Sequence, residues 1–177
     1  MSSHSQESDL VYLTRYPAER LRIASIASRL SPREKALRQW LMDYTISRGQ
    51  PFNLEDAARQ APCNDDGAHL VQKLLEKRTI VANGDGNLQF IYPVSALPTN
   101  HQVQLKDGRR FSAMCAIDSL GAAFTFQQDV RVESQCSECG ERVFVEIKDG
   151  KISGLQPASL HVLHMDLNKV RNWAASC

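Results

Sequence analysis

Along this chain the spacing of apolar side chains changes from the helical period of about 3.6 residues to the two-residue period of strands. No other feature constrains the fold as much. The first strong helix opens at Ser31-Pro32-Arg33-Glu34, where Ser can cap, Pro suits the first helical position and Glu stands three residues after the cap. Leu37, Trp40, Leu41 and Tyr44 then recur at i, i+3, i+4 and i+7, and Gly49 with Pro51 ends a helix expected over 32–47. Leu21, Ile23, Ile26 and Leu30 suggest an earlier helix begun near Pro17. Asn53 caps a short one that Pro62 closes, and residues 67–78 place Leu70, Val71, Leu74 and Leu75 on one face.

After residue 78 the pattern changes. Residues 79–81 and 88–92 favour strands, with Asn83-Gly84-Asp85-Gly86 between them as a hairpin turn. Helices followed by a hairpin have the order of a winged-helix unit. Pro93 and Pro98 bracket a stretch without periodicity, which puts a domain boundary near residue 95. Beyond it Val103 and Leu105 alternate into Asp107-Gly108, Val130 and Val132 alternate again, and Val143, Val145 and Ile147 lead into Asp149-Gly150. Leu160, Val162 and His164 suggest one more strand, and a helical stretch runs from Asp166 to the end. The expected fold class is α+β: a winged-helix-like helical domain over residues 1–95, then a mainly β domain with a mixed sheet over 96–177.

Charge narrows the partners. Residues 1–98 carry 12 basic and 11 acidic side chains and residues 99–177 nine of each, so neither half has the basic excess that phosphate binding needs. Lys73, Lys77 and Arg78 lie on the helix that would enter a DNA groove, but a solvated helix face explains them, and nucleic acid is not an expected partner. Residues 1–9 are polar and no apolar stretch approaches the roughly 18 residues of a membrane span, which makes a cytoplasmic location the expectation.

The five cysteines are more informative: an odd count spread as Cys63, Cys115, Cys136, Cys139 and Cys177 is not the paired framework of a small secreted domain. Cys136-Ser-Glu-Cys139-Gly140 has the spacing that lets two thiolates reach one soft metal ion; a small buried cysteine followed by a turn residue is the equal alternative. Cys115-Ala-Ile-Asp118 puts a thiol and a carboxylate on one side of the chain if a helix begins there, as Ser119-Leu120-Gly121-Ala122-Ala123 permits. A buried cysteine before a capping Asp would read the same.

These residues belong to a longer series. Leu97-Pro98-Thr99-Asn100-His101-Gln102-Val103, Gly108-Arg109, residues 115–120, Val132-Glu133-Ser134-Gln135-Cys136 and Val170-Arg171 before Cys177 resemble, in order and separation, the bacterial organomercurial lyases, also called alkylmercury lyases. The resemblance implies a winged-helix-like start and a catalytic domain in which Cys115, Asp118 and Cys177 cleave the carbon–mercury bond, giving a hydrocarbon and Hg(II). It also implies that Cys115 and Cys177 hold the mercury, that Cys136 is structural and that His101 is either structural or a support to the site. Cys139 matches nothing general in the family and leaves a local metal at Cys136 and Cys139, or a redox pair, open. Family members continue past the second cysteine, so this chain is expected to be short at its C-terminal end.

The implied chemistry suits the residue types. Mercury is a soft cation and thiolates are soft ligands, so two of them weaken the remaining bond to carbon. A neighbouring carboxyl can carry a proton from thiol to carbon, and an apolar surround would help it hold that proton. Met114, Ile117, Leu120, Phe124 and Phe126 are candidates for that lining or for ordinary core. No organic cofactor is implied. The expected partners are a small organomercurial substrate and a mercuric reductase that receives Hg(II). The alternative is a non-catalytic relative that binds a soft metal as a sensor, carrier or transcriptional regulator, separable from the enzyme by its independence of Cys177. His161 and His164 could serve a metal, though strand alternation explains them as well.

Overall fold

The computed structural model describes residues 26–63 and 66–162. They fall into two units divided at Ser31/Pro32, each taken by itself. In the first, Ile26–Arg29 forms a single 3-10 turn. The rest of the helix expected before residue 30 lies outside the described residues, as do His164, the helical stretch from Asp166 and Cys177.

The second unit begins with three helices: α1 (Pro32–Arg48), α2 (Leu54–Gln60) and α3 (Gly67–Glu76). The buried face of α1 is Glu34, Leu37, Arg38, Leu41, Met42 and Thr45, rotated from the stripe expected through Trp40 and Tyr44. Those two rings instead flank the core, stacked on each other at 4.8 Å, with Phe52 edge-on to Tyr44. Two of the buried polar side chains on α1 are satisfied by neighbours. Thr45 Oγ1 donates to Leu41 O at 2.7 Å, and Lys77 Nζ donates to both oxygens of Glu34 at 2.7 Å. Asn53 caps α2, its side-chain oxygen accepting the Glu55 N–H at 3.0 Å. Gly67 lets α3 start against α2, because a Cβ there would stand 2.4 Å from the Ala58 carbonyl oxygen.

The strands are β1 (Val81–Ala82), β2 (Leu88–Ile91), β3 (Val94–Ser95), β4 (His101–Leu105), β5 (Arg110–Ala113), β6 (Val130–Gln135), β7 (Arg142–Lys148) and β8 (Lys151–Gln156). They form one sheet in the order β1-β2-β3-β5-β4-β6-β7-β8. Every pairing is antiparallel, which corrects the mixed sheet expected from the sequence. The reason is in the connections. Short turns at Asp107-Gly108 and Asp149-Gly150 reverse the chain, and the helix α4 (Ala116–Phe126) carries it from β5 to β6. These two strands run the same way, but β4 lies between them and runs against both.

Register lines the core up in rows: Phe111, Val103, Val132 and Val145 across β5, β4, β6 and β7, with Leu105, Val130 and Ile147 alongside. All seven are buried. Helix α4 packs on β4, β5 and β6 and buries Ser119, Ala122 and Ala123. β3 sits where the sequence suggests a boundary near residue 95, and it is bonded to β2 on one side and β5 on the other. Arg109 in the β4–β5 turn pairs with Asp43 of α1 at 2.5 Å.

Two strand expectations are corrected at the far edge. Leu160 and Val162 are not in a strand, and β8 occupies residues the alternation pattern passed over. Ile152 faces Ile147 and Leu155 faces Val145, so a bulge makes three residues of β8 span two of β7 and removes the two-residue period. No helix among the described residues is long and apolar enough to cross a membrane.

Candidate functional site

Helix α4 begins where β5 ends, and Cys115 is its N-cap, with extended backbone at φ −147° and ψ 178°. The Cys115 carbonyl accepts the first helical bond, from Ser119 N–H at 2.9 Å. Asp118 is therefore in the first turn, three residues on. Cap and third helical residue face each other, the geometry that serves a capping box. Here the pair is a thiol and a carboxylate: Cys115 Sγ donates to Asp118 Oδ2 at 3.2 Å. Both side chains are half-buried, and the positive end of the helix favours the anionic form of either. The juxtaposition expected from the C-x-x-D spacing is present.

The residues before Cys115 are held from two directions. Met114 N–H donates to Pro93 O at 3.2 Å. Thr99 Oγ1 donates to Ala113 O at 2.6 Å, so the Pro98-Thr99-Asn100-His101 run clamps the end of β5. His101 stands at the head of β4 with Nδ1 2.9 Å from Ser134 Oγ of β6; burial pushes its pKa below the usual value. Thr99 thus reaches the segment that leads into Cys115, whereas His101 ties β4 to β6.

One functional candidate was not visible in the sequence. Arg38 on α1 is only 9% exposed. Its Nη2 donates to Tyr92 O, next to the Pro93 that holds Met114, while its Nε has no hydrogen-bond partner among the described residues. Burial pushes its pKa down to about 10, and the Asp118 carboxylate pulls it back up. A buried cation from the helical half is therefore close enough for the carboxylate of the site to act on it electrostatically. The signal was its position in the buried stripe, between Leu37 and Leu41.

The expected apolar lining divides. Met114 is buried and Leu120 half-buried, and the half-buried Phe126 packs on Phe111 with ring centroids 5.5 Å apart. Ile117 and Phe124 are exposed, at 43% and 66%, which corrects the core reading for those two. They project from α4 on the side away from the strands it covers. One concavity among the described residues, of about 790 Å³, is a polar groove that includes Arg131, Glu133, Arg142 and Phe144 and neither Cys115 nor Asp118.

The remaining cysteines fall elsewhere. Cys136 and Cys139 lie together in the β6–β7 turn, and Cys63 is in the α2–α3 connection, where its carbonyl accepts from Arg33 at 3.3 Å. Among the described residues no three His, Cys, Asp or Glu side chains cluster as a metal site, and His161 Nδ1 lies 2.6 Å from Ser159 O. On α3 and the turn after it, Lys73 and Lys77 are paired with Glu76 and Glu34, which removes two of the cations considered for DNA.

Comparison with known proteins gives two findings. The family model MerB, alkylmercury lyase, matches residues 94–177. Among solved structures, the mercury-bound form of MerB2 is 25% identical, with a TM-score of 0.56 over 76% of this chain. The match spans 65% of that protein's length. No curated protein matches.

Proposed function

Residues 94–177 belong to the alkylmercury lyase family, and from that premise we propose that this chain protonolyses the carbon–mercury bond of organomercurials. The observation that carries the reading is the 3.2 Å hydrogen bond from Cys115 Sγ to Asp118 Oδ2 at the N-terminus of α4. In the proposed reaction the Cys115 thiol gives its proton to the Asp118 carboxylate, and the thiolate displaces the weaker ligand from mercury. Cys177 supplies the second thiolate, its proton leaving with that ligand or to water. The two sulfurs weaken the bond to carbon. Asp118 then returns its proton to carbon, and the electron pair of the carbon–mercury bond becomes the new C–H bond. The products are the hydrocarbon and Hg(II) on two thiolates; nothing is oxidised, and no organic cofactor takes part.

In this reading Arg38 is a positioning residue. It holds the ionised Asp118 carboxylate toward the thiol without touching substrate. The winged-helix-like half, read as residues 1–95, thus supplies the buried cation, and residues 96–177 supply the thiols and carboxylate. Support for the winged-helix reading comes from three helices followed by the β1–β2 hairpin, and from the Asn53–Asn87 bridge that ties the start of α2 to it. A cytoplasmic location, with a mercuric reductase as recipient of the Hg(II), completes the proposal. Incubation with phenylmercury and excess small thiol tests it. Benzene above the thiol-only blank is expected, and benzene at the blank level overturns it.

A further inference from the structure

The Cys136–Cys139 turn has no part in the reaction above. Its backbone is pinned at both ends: Cys136 N–H donates to Glu141 O at 2.9 Å, and Gly140 N–H donates to Cys136 O at 2.9 Å. Gln135 Nε2 adds a bond to Gly140 O at 3.1 Å. Gly140 has φ +73°, the left-handed conformation that lets the chain return into β7. Folded this way, the turn brings the backbone N–H groups of Glu138 and Cys139, and the Cys139 thiol, near the Cys136 sulfur. These donors hold the Cys136 thiol below the usual thiol range. Cys139 is exposed and Cys136 half-buried, so solvent reaches the pair.

A turn pinned at both ends, with two sulfurs three residues apart, matches what a C-x2-C site needs to hold a thiophilic metal. Among the described residues no third His, Cys, Asp or Glu joins the pair. That favours a cation content with two sulfur ligands over one that requires four. Zn(II) in structural sites takes four, whereas Hg(II) is satisfied by two thiolates.

We propose that Cys136 and Cys139 form a second thiolate site that binds one thiophilic d10 cation, Hg(II) ahead of Zn(II). Binding forms two metal–sulfur bonds and releases the two thiol protons, with no change of oxidation state. The site is independent of catalysis at Cys115 and stands or falls separately from it.

The test uses the full chain, reduced and carrying C115S and C177S so that the catalytic thiols are absent. HgCl2 and ZnCl2 are titrated in turn, read by native mass spectrometry and by the ultraviolet absorption of metal–thiolate bonds. One Hg(II) per chain is expected, retained against a competing small thiol, with Zn(II) displaced by it. Adding C139S should weaken retention about 100-fold, because the advantage of two linked ligands is lost. Since Cys139 is exposed, an unchanged melting temperature shows that the fold persists. No Hg(II) bound in the C115S/C177S chain, or equal retention after C139S, overturns the proposal. So does a reduced pair that closes to a disulfide, two hydrogens lighter, in preference to taking the metal. Phenylmercury cleavage by the unmodified chain is unaffected by any of these outcomes.

Discussion

Replacing Arg38 by Met removes the buried charge and keeps an unbranched apolar chain in its place. Burial holds the guanidinium at about 10, some 2.5 units below its ordinary value. At 1.36 kcal/mol per pH unit, keeping this cation inside the protein costs about 3 kcal/mol. Its charged hydrogen bond to Tyr92 O returns about 1.5–3 kcal/mol. The two nearly cancel, so R38M should be neutral or stabilised by up to about 1.5 kcal/mol, a rise in Tm of no more than about 5 °C. The sign with pH follows from the direction of the shift. The unfolded chain holds the Arg38 proton more tightly than the folded one, so the burial cost is present in full below about pH 9. It is relieved only as pH rises through about 10. Between pH 5 and 8 the stability difference between R38M and wild type should therefore be flat. Turnover should behave differently. With the cation that acts on Asp118 gone, benzene release from phenylmercury should fall about tenfold, a part of the 10²–10⁴ that general acid–base catalysis supplies. R38K, which keeps the charge but not the planar fork, should recover part of it. Urea melts and gas chromatography on the same preparations measure both. A loss of more than about 3 kcal/mol, or unchanged turnover, would refute the reasoning and make Arg38 a structural strut.

Other perturbations test neighbouring parts of the account. G67A sets a Cβ 2.4 Å from the Ala58 carbonyl oxygen, so α2 and α3 must separate; calorimetry should show a loss of about 1–3 kcal/mol. T99V keeps the side chain's shape and deletes its bond to Ala113 O; about 1 kcal/mol of stability should go, along with part of the turnover, because the segment before Cys115 loosens. The Cys136 thiol lies below the usual thiol range, so its alkylation by iodoacetamide, followed by peptide mass spectrometry, should persist to lower pH than that of an ordinary cysteine; titration at or above the usual value would contradict the turn geometry.

Much of this arrangement was legible in local chemistry. The Asn53 cap, the Asn83-Gly84-Asp85-Gly86 turn and the thiol and carboxylate at the start of α4 each depend on residues a few positions apart, where spacing alone carries the information. What escaped depends on partners distant in sequence. Arg38 looks like a solvated helix charge until the fold brings Tyr92 O against it and Asp118 within its electrostatic reach. The β8 bulge erased the alternation that would have revealed the strand, and the antiparallel sheet follows from β4 inserting between β5 and β6, which no local pattern encodes. Ile117 and Phe124 are apolar yet exposed because α4 turns Ser119, Ala122 and Ala123 to the sheet instead.

The central claim is that one hydrogen-bonded pair divides the labour, with sulfur taking the metal and the carboxyl returning the proton. A single-turnover experiment with D118A separates the two. Phenylmercury is mixed with excess protein, and bound mercury and free benzene are followed in the same samples. D118A should still bind the phenylmercury, as a covalent adduct on Cys115 visible by mass spectrometry, while benzene release falls at least about 100-fold. Benzene released from D118A at the wild-type rate would contradict it.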